Sequence, residues 1–173
     1  MYALTSPRLL TPPRNNEDPT ATTVELDVII GIARRRGAHT IAIGSGRTSA
    51  ALVTSQTLAD RWQHEGGEVA ATITWPETAA SWLRQATRFA ATDPDLWVMT
   101  GPATGWAQMT RRLLWSTTWS ARRTLVTAAL AARDTLELVG AHHLDGLAGA
   151  HTDGTPWILA DGCVRPPREQ QSR

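Results

Sequence analysis

Along the middle of the chain, stretches with apolar residues every three or four positions alternate with short, nearly continuous apolar runs. Leu26, Ile29, Ile30 and Ala33 share one helical face and predict a helix over about residues 22–36. Arg34, Arg35 and Arg36 suit the negative end of its dipole, and Gly37 supplies a left-handed cap. Thr40–Ile43 reads as a short buried strand ending at Gly44. A second helix over 48–64 turns Leu52, Ser55, Leu58, Ala59 and Trp62 inward and stops at Gly66-Gly67, before a strand at Glu68–Thr74. Trp75-Pro76 breaks that strand, and a helix over 78–91 carries Ala79, Trp82, Leu83, Ala86, Phe89 and Ala90 as its apolar stripe. After Asp93-Pro94, Asp95–Thr100 reads as a central strand, apolar on both faces. A helix over 103–115 then buries Trp106, Met109 and Leu113. Thr124–Ala129 forms a fourth strand, a short helix covers 132–139, and two short strands at 146–150 and 156–160 flank the Asp153-Gly154 turn.

Strands alternating with helices are the mark of βαβ units, because a parallel strand is reached only through a crossover. The expected fold is α/β, a three-layer αβα sandwich on a mostly parallel, doubly wound sheet of about five strands. The right-handed crossover rule gives a strand order of 2-1-3-4-5 with the first four parallel. Ile43, Trp82, Phe89, Leu96 and Val98 are the expected core. Residues 1–21 and 165–173, rich in Pro, Arg and polar groups, read as flexible tails around a lobe at 22–164.

Composition narrows the function classes. A length of 173 residues, 42% of them apolar and 19% charged, suits an ordinary globular domain. A net charge of +1 gives no electrostatic case for nucleic acid or a membrane surface as partner. All 17 basic residues are Arg. Cys163 is the sole cysteine, which excludes an intrachain disulfide and disfavours a Cys-based zinc site. No apolar run reaches the ~18 residues of a membrane helix. Pro7, Pro12 and Pro13 interrupt an N-terminus that lacks a signal-peptide core, so the expected location is cytoplasmic.

Gly44-Ser45-Gly46-Arg47-Thr48-Ser49 lies between a strand and a helix, where backbone N–H groups can approach an anion. Three readings stand side by side: a turn and cap, a contact for a polar ligand, or a dinucleotide loop. Against the last, Ser49 replaces the third glycine, no acidic residue directly follows the second strand, and a P-loop lysine is lacking. His142, His143 and Asp145, and His151 with Asp153, read as solvated loop residues rather than metal ligands. No Gly-x-Ser-x-Gly elbow occurs, and no cofactor or catalytic residue is implied. Among the eight tryptophans, Trp62, Trp82, Trp97 and Trp106 fall on core faces, whereas Trp75, Trp115, Trp119 and Trp157 fall at element ends.

The segment Leu58–Val69 (LADRWQHEGGEV) with Pro76 after the strand, then Asp93–Gly101 (DPDLWVMTG) followed by a helix bearing Arg111-Arg112, resembles type 1 periplasmic-binding-like proteins of the branched-chain amino-acid receptor kind. Leu138-Val139-Gly140 followed by Leu144-Asp145-Gly146-Leu147 resembles the segment where such lobes cross back, so the likeness spans about residues 22–160. It implies a non-catalytic, substrate-binding fold holding a small, amino-acid-like polar ligand. Such proteins close two lobes on their ligand and this chain has length for one, so the partner is either the ligand or a second lobe, with a homodimer also allowed. In open α/β sheets the crevice outside the strand C-termini takes the ligand. Here that edge comprises Ser45, Gly46, Arg47, Thr48, Trp75, Gly101 and Thr104, with Arg47 for a carboxylate, Trp75 as a wall and the threonines as donors. The alternative is a sugar-phosphate- or nucleotide-handling αβα enzyme using Gly44–Ser49 as an anion cradle.

Overall fold

The computed structural model describes residues 18–167. Helix α1 (Thr23–Arg35) opens on a capping box: the Thr22 hydroxyl accepts the Glu25 N–H, and the Glu25 carboxylate accepts the Thr22 N–H. Strand β1 (Thr40–Ser45) leads to α2 (Ser49–His64), whose N-cap is Thr48. β2 (Glu68–Thr74), α3 (Leu83–Ala91), β3 (Leu96–Thr100) and α4 (Ala103–Ser116) follow. The second half is built of shorter pieces: β4 (Thr124–Val126), α5 (Arg133–Glu137), β5 (Ala148–Ala150), β6 (Pro156–Ala160) and β7 (Cys163–Arg165).

The strands form one sheet in the order β2-β1-β3-β4-β5-β6-β7. The first five are parallel and the last two antiparallel, so the 2-1-3-4-5 order read from the alternation holds and is extended by a meander. The extension comes from Asp161-Gly162, both with positive φ (53° and 69°), the conformation of a two-residue hairpin turn. Arg165, assigned to a tail by its neighbours, therefore sits in β7. At the other end, the Ala21 N–H donates to Thr54 Oγ1 at 3.0 Å, so residues 18–21 run against α2. Pro166 and Pro167 follow β7 as exposed chain, and residues 1–17 and 168–173 of the expected tails lie outside the described residues.

Alternation along the strands divides the core. On one face Ile41, Ile43, Leu96, Val98 and Leu125 meet Leu26, Ile29 and Ile30 of α1 and Leu58 and Trp62 of α2. On the other, Ala42, Trp97 and Met99 meet Phe89 of α3 and Trp106 and Met109 of α4. That is the three-layer sandwich, and all five expected core residues are buried in it.

Three local readings are corrected. On α2, Ala51, Thr54, Ser55, Leu58 and Trp62 face inward, and Leu52 is 44% exposed. α3 begins at Leu83 rather than residue 78, because the Trp82 indole N–H donates to the Pro76 carbonyl at 2.8 Å and holds 76–82 as a loop. β4 ends at Val126, where the chain bends into a 3-10 turn at Ala128–Leu130.

Candidate functional site

The C-terminal ends of β1, β2 and β3 bring three turns together. The Gly46 N–H donates to the Thr100 carbonyl at 3.1 Å, tying the β1–α2 turn to the end of β3. The Trp75 N–H donates to the Ser45 carbonyl at 3.0 Å, tying in the end of β2. The loop amides are thus partly consumed by the sheet itself.

Carboxylates occupy the helix starts along this edge. The Thr48 hydroxyl accepts the Ala51 N–H at 3.2 Å and donates to Asp18 Oδ2, so Asp18 lies at the beginning of α2. Glu77, just past β2, accepts the Gly105 N–H at 2.8 Å in the first turn of α4. Position 105 must be glycine for this contact, since a Cβ there would stand 2.3 Å from Glu77 Oε1. Glu25, buried in α1, accepts the Ala128 N–H at 2.7 Å at the start of the 3-10 turn. Unpaired N–H groups and the helix dipole favour negative charge at each of these places.

Burial nevertheless pushes all three acids up from the ordinary carboxylate range. For Asp18 the bonds from Thr48 and Ala51 act against it; for Glu77 the Gly105 amide does, while the neighbouring Asp18 charge adds to the rise. For Glu25 the Ala128 and Thr22 amides and His151 oppose the effect of burial. Asp18 Oδ1 and Glu77 Oε1 are both buried acceptors that lack a hydrogen-bond partner among the described residues. Beneath them runs a row of buried hydroxyls on the α1–α2 face of the sheet. Thr100 and Thr127 share a 2.8 Å hydrogen bond, and the Ser45 Oγ has no partner among the described residues.

Of the seven residues expected here, Gly46, Thr48 and Gly101 lie on the turns that meet at this edge, Thr104 lies in the first turn of α4, and Ser45 ends β1 beneath them. Trp75 is fully buried and cannot wall a ligand. Gly44 makes room for its ring, which would stand 2.6 Å from a Cβ at that position. Arg47 turns away from the edge: its Nε lies 3.4 Å from Thr74 Oγ1, in a groove beside β2. Asp18, Glu25 and Glu77 were not among the expected residues. Thr22-x-x-Glu25 is a legible capping signature, and Glu77 stands directly after the strand-breaking Pro76, but nothing in the composition around Asp18 marks it. In the histidine clusters, Asp145 accepts the Gly162 N–H at 3.2 Å and Asp153 the Thr155 N–H at 2.8 Å, while the His142 and His143 ring centres lie 3.9 Å apart with the rings tilted by 43°.

No protein-family model matches the sequence, and no curated protein matches it. Solved structures do match. A substrate-binding periplasmic protein from Ralstonia solanacearum superposes with a TM-score of 0.66 at 14% identity, covering 78% of this chain and 38% of that one. A solute-binding protein of an ABC transporter from Rhodopseudomonas palustris, in complex with 4-hydroxybenzoate, gives 0.61 at 14% identity over 78% and 37%. A branched-chain amino acid ABC transporter periplasmic ligand-binding protein from Burkholderia xenovorans gives 0.58 at 10% identity over 71% and 33%. The chain spans little more than a third of the length of these proteins. The expectation of a cytoplasmic location is corrected by these matches, which include periplasmic and extracellular ligand-binding proteins and point away from the cytoplasm. No helix among the described residues is long and apolar enough to cross a membrane. Strand order, layering and these superpositions agree that the chain has the fold of one lobe of a type 1 periplasmic-binding protein.

Proposed function

We propose that this chain is a non-catalytic binding lobe whose strand C-terminal edge holds the donor end of a small polar ligand, amino-acid-like in its head group. The observation that carries the reading is the pair of buried acceptors, Asp18 Oδ1 and Glu77 Oε1, which have no partner among the described residues where the three turns meet. A buried acceptor without a donor costs roughly 1–3 kcal/mol, and a ligand ammonium or hydroxyl arriving there recovers it. Gly46, Thr48, Gly101 and Thr104 frame the same edge. A single lobe offers one wall, and burial of most of a small ligand's surface requires a second lobe or a partner protein.

The anion-cradle enzyme finds less support. The Gly46 N–H is spent on Thr100, Arg47 faces β2, and the start of α2 already carries Asp18. Backbone amide shifts followed during titration separate the two readings. Leucine and leucinamide are expected to move Gly46, Thr48, Gly101 and Gly105, whereas 4-methylpentanoate, which lacks the ammonium, leaves them in place. Movement by the carboxylate alone, or by none of a broad polar panel, overturns the proposal.

A further inference from the structure

Arg47, Arg84 and Arg88 converge on a groove of about 330 Å³ at the outer edge of β2, completed by Thr72, Ile73, Thr74 and Gln85. Among the described residues β2 pairs with β1 alone, so this side of the sheet ends in a strand whose alternate backbone groups have no strand partner among them. The three guanidiniums come from two separate segments, the β1–α2 turn and α3. None of them is among the ion pairs formed by the described residues, which join Arg34–Glu65, Arg61–Asp27, Arg123–Asp93 and Arg165–Asp161.

The local electrostatics of the first turn of α3 are unfavourable. The helix holds two arginines and no acid. Arg84 stands in the first turn, where the dipole disfavours a cation, and Arg88, itself well placed in the last turn, lies at i+4 from it, where like charges repel. An anion in the groove relieves both effects. The neutral lining flanks the edge from both sides: Thr72 and Thr74 project from the face of β2 turned to α2, and on the α3 face Gln85, whose Oε1 is buried without a partner among the described residues, can turn its amide N–H₂ outward.

We infer that this groove is a binding site for a phosphate monoester, gripped by Arg47, Arg84 and Arg88 with Thr72, Thr74 and Gln85 as neutral donors. Three guanidiniums exceed what a single carboxylate can satisfy, and a tetrahedral dianion has enough acceptor oxygens for all of them. The volume lies at the lower end of that for small-molecule sites, enough for the phosphoryl group and a compact remainder against Ile73. This site does not rest on the ligand-binding reading of the sheet edge, and each stands if the other fails.

Calorimetric titration of the full chain at low ionic strength, with phenyl phosphate and with inorganic phosphate, tests the assignment. A single saturable site is expected, with phenyl phosphate bound at least as tightly as the free ion. Arg84→Gln and Arg88→Gln should each weaken it about tenfold, the worth of one charge-assisted hydrogen bond, and Arg47→Gln in the same direction. All three side chains are exposed, so far-UV circular dichroism of the variants should be unchanged. Arg111→Gln and Arg112→Gln on α4 are expected to bind normally. The inference is overturned if neither phosphate saturates, if affinity survives the three groove substitutions, or if the α4 substitutions weaken it equally. It is also overturned if acetate at matched ionic strength binds as well, if only inorganic phosphate binds, or if only an extended acidic peptide pairing with β2 occupies the groove.

Discussion

Asp95, just before β3, accepts the His39 and Thr40 N–H groups, both at 2.8 Å, and the Thr40 hydroxyl at 3.1 Å. Glu77, just after β2, accepts one N–H at 2.8 Å and keeps its other oxygen buried without a partner among the described residues. The two carboxylates sit at opposite ends of the same parallel sheet and are held under opposite conditions. Backbone amides in the open draw Asp95 below its ordinary range, whereas burial drives Glu77 above it. Around Asp95 the other charges are also matched: Arg123 pairs with Asp93 at 3.1 Å and lies 4.6 Å over the Trp97 ring. Around Glu77 stand Asp18, another raised acid, and Ser45, another unpartnered polar group. In its carboxylates the N-terminal end of the sheet is finished, although the buried Trp119 indole N–H there has no partner among the described residues, and the C-terminal end carries carboxylate and hydroxyl oxygens that the described residues leave unsatisfied. Such a difference within one sheet is expected where one end serves stability and the other a ligand.

The middle of the sheet supports both ends and sets the scale. Phe89 is fully buried and tilted against Trp97 at 6.5 Å, so Phe89→Ala should cost about 3–5 kcal/mol in urea unfolding. A loss under about 1 kcal/mol, typical of surface changes, would mean that α3 does not anchor the edge it carries. Next comes the crowded end. Gly105→Ala places a Cβ against Glu77 Oε1, and the carboxylate must leave the start of α4. A destabilisation of about 1–3 kcal/mol is expected, together with altered amide shifts at Gly46. At the finished end, Asp95→Ala removes three hydrogen bonds that water can largely replace, so about 1 kcal/mol is expected. That deficit is complete above the ordinary Asp value of 3.8 and disappears as pH falls through the depressed folded value.

The fold was legible because its signals are local and repeated. Ile41, Ile43, Leu96 and Val98 sit in continuous apolar runs, and Phe89 and Trp106 fall on helical stripes, so periodicity alone places them in the core. The second half was less legible, since strands of three residues such as β4 and β7 carry too few positions to show a period. The site was legible only in part. Gly46, Thr48 and Gly101 are fixed by turn and cap chemistry, which sequence displays. Asp18 acquires its role through a contact 30 residues away, at Thr48, and Arg47 loses its expected one through a side-chain direction that no local pattern encodes. Trp75 follows a strand as a ligand wall would, yet the space left by Gly44 draws it inside.

The smallest expected effect discriminates most sharply between the two ends. Below its ordinary value of 4.5, Glu77 is protonated in both the folded and the unfolded chain. As pH rises, the unfolded chain releases the proton first, because the folded value is raised, and stability is lost as pH passes through that folded value. Once ionised, Glu77 is therefore a net cost to the folded chain, the reverse of Asp95. Glu77→Gln removes the charge and keeps an oxygen to accept the Gly105 N–H. The variant should be more stable than the parent at pH 7 by under about 1 kcal/mol, a modest gain because the side chain is only half buried. That gain should vanish by pH 4, whereas Glu77→Ala, which strips Gly105 of its acceptor, should be no more stable than the parent at either pH. Thermal melts of the three proteins at the two pH values give the answer. If Glu77→Gln is destabilised at pH 7 and the deficit fades in acid, Glu77 behaves as Asp95 does, and the contrast between a finished and an unfinished end of the sheet collapses.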